Sequence, residues 1–86
     1  MNKSAKEMFE EIGYELIENG KRYLRFANYE DKERHYYGGE FIDFEKINLQ
    51  FRLTRKTSQG NTHFKYGSIK EFKAIQKQIK ELGWNE

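Results

Sequence analysis

Two helix-start signals, one near each end of the chain, do most to limit what it can fold into. Ser4 with Glu7, and Ser68 with Glu71, have the spacing of a capping box. In that motif each side chain satisfies a backbone amide at the start of a helix. After the first box, Ala5, Met8, Phe9 and Ile12 recur at one face of a helical period, and Gly13 offers a left-handed stop. After the second, Ile69, Phe72, Ile75, Ile79 and Leu82 make an apolar stripe ended by Gly83 and Trp84. The spacing predicts a short N-terminal helix and a longer C-terminal one.

Everything between reads as strands. Asn19-Gly20 lies between apolar runs and predicts a two-residue hairpin turn, pairing Glu18 with Lys21 and Leu16 with Tyr23. Leu24 and Phe26 then share one side, Tyr23 and Arg25 the other. The Gly38-Gly39 pair marks a bend or bulge in an extended stretch. A second turn at Glu45-Lys46 is expected to pair Phe44 with Ile47 and Ile42 with Leu49. From there Ile47, Leu49, Phe51 and Leu53 alternate with Asn48, Gln50, Arg52 and Thr54, the period of a half-buried strand. A loop at residues 58–61 sets Lys56 opposite His63, Arg55 opposite Phe64 and Leu53 opposite Tyr66. Leu53, Phe64 and Tyr66 would face inward, with Arg52, Thr54, Lys56, His63 and Lys65 outward.

The resulting order predicts an α+β fold over a single domain, residues 1–86. It has a short N-terminal helix, about five strands in an antiparallel meander, and a long C-terminal helix packed on one sheet face. No proline interrupts any of these runs. The 86 residues support one modest core, because a chain this short buries only about 60–65% of its unfolded surface. The absence of cysteine excludes disulfides and thiolate sites, and favours a cytoplasmic setting. No apolar run has the length of a membrane span, and no signal-peptide core follows Met1.

Catalysis is not expected. His35 and His63 are far apart in sequence and lack a nucleophile motif, while Ser4 and Ser68 are needed as caps. The same two histidines match no metal-ligand spacing, and no phosphate-cradling glycine loop precedes a helix, so neither metal nor cofactor is expected.

Binding has more to work with. Residues 1–45 carry seven Lys/Arg against eleven Asp/Glu, a net of −4, and residues 46–86 carry nine against three, a net of +6. Halves of opposite sign suit an anionic partner, association between copies, or simple mixing on the folded surface. Lys70, Lys73, Lys77 and Lys80 fall within an arc of roughly 80° on the C-terminal helix, where phosphates would be neutralised. The competing reading is a solvated face with Glu71 and Glu81 as partial counter-charges. Arg52, Lys56, His63 and Lys65, with Phe41, form a second candidate surface on the outer sheet face. Aromatics there, from Tyr14/Tyr23 or Tyr36/Tyr37, would suit base stacking or a protein interface, and the N-terminal helix is expected to cover some of them. The two basic surfaces are expected on opposite sides of the domain.

The stretches "AKEMFEEIGYEL" and "KEFKAIQKQIKELGW" resemble the ends of a group of small phage and prophage proteins from Gram-positive bacteria. The resemblance implies a phage accessory protein in the bacterial cytosol, one that blocks a host factor or defence component stoichiometrically. It brings no functional residues with it. The expected partner is therefore a host protein, with nucleic acid as the alternative and a homodimer through the outer sheet face as a third reading.

Overall fold

The structure, a computed structural model, describes residues 3–34 and 38–84. His35, Tyr36 and Tyr37 lie outside the described residues. The elements run α1 (Ala5–Glu11), β1 (Glu15–Asn19), β2 (Tyr23–Tyr29), β3 (Gly39–Glu45), β4 (Gln50–Lys56), β5 (Thr62–Phe64) and α2 (Ile69–Glu81). The strands form one antiparallel sheet in sequence order, the expected meander. Both capping boxes form, with Ser4 and Ser68 as N-caps. No described helix is long and apolar enough to cross a membrane.

Alternation places Leu24, Phe26, Ile42 and Phe44 on one sheet face, and both helices pack there. Phe9 of α1 stacks on Phe26 at 4.2 Å between ring centroids and meets Phe44 edge-on at 6.3 Å. Trp84, just past α2, closes on Phe44 at 6.1 Å. Phe9, Phe26, Ile42 and Phe44 are the largest fully buried side chains. Each contributes about 1.5–3 kcal/mol through burial, and the ring pairs add about 0.5–1.5 kcal/mol each.

Three turns differ from the expected ones, with unequal consequences. At the first, Gly20 donates its amide to the Tyr23 carbonyl at 2.9 Å, which puts Lys21-Arg22 at the tip, and Ile17 sits in a bulge. Gly20 is not among the positive-φ residues, so the Asn-Gly turn does not form. At the second, Glu45 pairs with Gln50 around a four-residue loop, while its carboxylate accepts the Ile47 and Asn48 amides at 2.8 and 2.9 Å. Phe44 faces Phe51, and Ile42 faces Leu53. That register is shifted by four residues from the expected one. An even shift leaves the paired side chains on their predicted faces, and only Ile47, Asn48 and Leu49 drop out of the strand.

The third turn is shifted by one. Gly60, at φ +91°, ends a three-residue loop, and the Thr57 amide donates to the Asn61 carbonyl at 2.8 Å. A three-residue hairpin loop needs a left-handed residue in its last position, which glycine adopts without strain. Thr54 therefore lies opposite Phe64, Arg55 opposite His63, and Lys56 opposite Thr62. A shift of one exchanges the faces of a whole strand. Phe64 and Tyr66, expected in the core, are 83% and 99% exposed. Lys65, expected outside, turns toward the helices.

Two further expectations are corrected. Helix α1 does not cover the outer sheet face; it shares the inner face with α2. In consequence α2 buries Glu71, Ala74, Ile75 and Gln78, an arc centred roughly 110° around the helix from Phe72. A helix wedged against both a sheet and a neighbouring helix buries the flank toward that neighbour as well. Ile69 and Phe72, on the other flank, stay 71% and 53% exposed. The Gly38-Gly39 pair serves as the entry to β3, where a Cβ on Gly39 would lie 2.6 Å from the Asn28 carbonyl oxygen.

The register makes opposite forecasts for two phenylalanines. Phe9→Ala should lower stability by about 3–5 kcal/mol, close to the whole stability of so small a domain, whereas Phe64→Ala should change it by less than about 0.5 kcal/mol. Urea denaturation of both variants measures the difference. A large loss in the Phe64 variant would restore the register read from sequence.

Candidate functional site

The outer sheet face is built around a buried carboxylate. Asp43, on the central strand β3, is 3% exposed and lies between Arg25 of β2 and Arg52 of β4 in register. Arg25 Nε donates to Asp43 Oδ1 at 2.6 Å, and Arg52 Nε donates to Oδ2 at 2.9 Å. The hydrogen bond to Asp43 holds the Arg25 guanidinium above its ordinary pKa. Beside this triad Phe41 and Tyr29 pack edge-on at 5.8 Å. A shallow depression of about 490 Å³ runs past Arg25, Tyr29, Phe41, Arg52 and Lys56. Because both guanidiniums are tethered by one carboxylate, they present fixed donors rather than mobile charges.

On the helix side, Lys65 is the centre of a second polar cluster. Its ammonium donates to Glu71 Oε2 at 2.7 Å, to Glu40 Oε1 at 3.0 Å and to the Tyr14 hydroxyl at 3.2 Å. The Tyr14 hydroxyl donates to Glu71 Oε2 at 2.6 Å. Glu71 Oε1 accepts the Ser68 amide at 2.8 Å, so one carboxylate both caps α2 and ties it to β5 and the start of β1. Burial alone would raise the Glu71 pKa, but hydrogen bonds from Lys65, Tyr14 and Ser68 outweigh it and hold the carboxyl below its ordinary value. Burial, followed by the contact with Glu71, pushes the Tyr14 phenol far above its ordinary range. The side chains of Glu71 and Lys65 are only 8% and 11% exposed. No buried side-chain polar atom of the described residues lacks a partner.

The residues singled out from sequence therefore divide into three groups. Arg52, Lys56 and Phe41 lie on the outer face as expected. Lys65 is withdrawn from that surface into the cluster, and His63 falls on the helix side of β5 opposite Arg55, though exposed. Lys70, Lys73 and Lys77 line a cleft of about 500 Å³ between α1 and α2, together with Lys3, Met8, Glu11 and Ile12. Lys80 continues the row beyond it. The sheet separates the two basic surfaces, as expected.

Several participants were not visible in the sequence. Asp43 interrupts the run Phe41-Ile42-Asp43-Phe44, the one signal that an arginine would be needed across the sheet. Tyr14, Glu40 and Glu71 are far apart in the chain, and nothing local points to their meeting. Beyond Phe64 and Tyr66, Ile69 and Phe72 extend the exposed apolar residues through the link from β5 into α2. No family model, curated protein or solved structure matches this chain. The surfaces are read from their own chemistry.

The Lys65 cluster sets the pH response. A carboxyl with a depressed folded pKa stabilises above its unfolded value of about 4.3, and that stability is lost as pH falls through the folded pKa. A phenol with a raised folded pKa stabilises below about pH 10 and loses that contribution as pH rises further. Urea midpoints measured from pH 3 to 11 should thus fall at both ends. Glu71→Gln should cost about 2–3 kcal/mol at pH 7 and shrink the acid fall, and Tyr14→Phe should shrink the alkaline one. Unchanged pH profiles in both variants would refute the cluster's role.

Proposed function

We propose that this chain is a non-enzymatic phage accessory protein that binds a host protein in the bacterial cytosol. Its docking surface is the edge formed by Phe64, Tyr66, Ile69 and Phe72 with the adjoining outer face at Arg52 and Lys56. One observation carries the reading: four large apolar side chains within residues 64–72 are 53–99% exposed. A domain with so small a core does not gain by leaving such groups in water, and large apolar side chains left exposed along one short segment mark an interaction site. The neighbouring guanidinium of Arg52 is already positioned by Asp43, so little side-chain freedom is lost on docking. Aromatic residues and arginine are also the groups that dominate binding energy at interfaces.

The partner implied is a protein with an apolar groove and an acidic rim, since Arg52, Arg55 and Lys56 flank the aromatic edge. A stoichiometric complex of this kind suits the blocking of a host factor, a defence component among them. The resemblance of the two chain ends to small phage proteins supplies the setting.

Nucleic acid is the second reading, favoured by Arg52 and Lys56 beside the Tyr29–Phe41 pair, a cation-and-aromatic arrangement suited to stacking bases. Affinity capture from a susceptible host, with and without nuclease, separates the two. A single nuclease-resistant protein should be recovered by the wild type, and Tyr66→Ala with Phe64→Ala should weaken its binding roughly 30-fold or more. Recovery of nucleic acid would overturn the protein partner, if affinity also falls steeply between about 50 and 200 mM salt and Arg52→Glu with Lys56→Glu abolishes it. Concentration-dependent self-association, seen by sedimentation and lost in Tyr66→Ala, would replace the host protein with a second copy of the chain.

A further inference from the structure

The cleft between α1 and α2 carries positive charge that the protein does not itself neutralise. Of the carboxylates of the two helices only Glu11 lines the cleft, where it pairs with Lys3, and none pairs with the α2 lysines. Glu7 accepts the Ser4 amide at 2.8 Å, Glu10 pairs with Lys6, and Glu11 pairs with Lys3. Glu71 is held in the Lys65 cluster, and Glu81 Oε2 accepts the Ala5 amide of α1 at 2.8 Å. The two counter-charges that helical spacing offers to the lysine row are thus turned away from it. Lys70, Lys73 and Lys77 make no ion pair among the described residues, although all three line one cleft. Like charges at this helical spacing repel one another, so the arrangement is mildly unfavourable without an anion.

From this we infer that the α1–α2 cleft binds a nucleoside di- or triphosphate. The volume of about 500 Å³ lies within the range of small-ligand sites. The lining divides the ligand into two parts. Lys70, Lys73 and Lys77 span about 10 Å along α2, enough for a short phosphate chain and too short to track a duplex. Lysine ammoniums act as compact point charges on phosphate oxygens, and several along one helix face match the successive charges of a phosphate chain. Met8 and Ile12 of the α1 side supply an apolar wall for a planar base, and the thioether of Met8 adapts to its edge. Binding would clamp α1 to α2 beside the α2 end of the apolar edge, where Ile69 and Phe72 adjoin Lys70 and Lys73.

Thermal unfolding of the full chain tests this with ATP, GTP, inorganic triphosphate, adenosine and a mixed-sequence single-stranded oligonucleotide as probes. At about tenfold above Kd, ATP or GTP should raise Tm by roughly 6–11 °C. Triphosphate should give a smaller shift at equal concentration, and adenosine none. Lys73→Gln with Lys77→Gln should abolish the nucleotide shift while leaving the Tm of the free protein within about 2 °C, and Arg52→Gln with Lys56→Gln should leave the shift intact. The inference is overturned if neither nucleotide shifts Tm, if the lysine variant responds like the wild type, or if adenosine matches ATP. Tighter binding of the oligonucleotide than of ATP would also overturn it, and would make the row a nucleic-acid contact instead.

Discussion

The buried ammonium of Lys65 determines more of this structure than any other single group. Its contacts with Glu71, Glu40 and the Tyr14 hydroxyl join β5, α2, β3 and the entry to β1 in one cluster. A lysine can be buried at this depth only if its charge is matched and its donors are used, and both conditions hold here. Once Lys65 is inside, alternation forces Phe64 and Tyr66 outside. Glu71, drawn in as the counter-charge, holds α2 rolled toward α1, which leaves Phe72 and Ile69 in water. The exposed aromatic edge is thus a consequence of how one charge is accommodated.

The same roll governs the other surface. With Glu71 turned inward and Glu81 bonded to the Ala5 amide, the lysines of α2 lose the counter-charges that helical spacing offers them. One face of the helix becomes an uncompensated row, and α1 beside it converts that row into one wall of a cleft. On the far side of the sheet, Asp43 does the opposite for Arg25 and Arg52: it pairs with both, fixes them and offsets one of their two charges. The protein therefore presents two basic surfaces of different character, one tethered and flanked by aromatics, one without ion pairs among the described residues.

How legible these features were depends on parity. The Glu45 turn came four residues later in pairing than local rules suggest, and nothing about the faces changed. Ile42, Phe44, Phe51 and Leu53 stayed on the side where their alternation places them. The Gly60 loop is one residue shorter than the expected loop at 58–61, and every side chain of β5 changed sides. A turn of ordinary composition does not announce its length, and Ser58, Gln59, Gly60 and Asn61 all suit more than one loop. Hydrophobic alternation favoured Phe64 inward, but burial of a satisfied Lys65 cluster prevailed. The Asn19-Gly20 turn also gave way: Asn19 and Glu18 pair with Leu24 and Arg25, so the tip passed to Lys21-Arg22, with the bulge at Ile17 lying beyond that shifted pairing.

The sequence by itself determined the two capped helices, the antiparallel order of the strands and the α+β architecture, with Phe9 on the apolar face of the first helix. These follow from local capping chemistry and from periods of 3.6 and 2, which a short window of residues contains in full. Only the tertiary structure decided which side of β5 faces out, that α1 shares a sheet face with α2, and which carboxylates remain to balance the lysines. Those outcomes depend on Tyr14, Glu40, Lys65 and Glu71 meeting across the fold. No local pattern encodes such a meeting, because its energy exists only once burial has removed the water that would otherwise solvate each group.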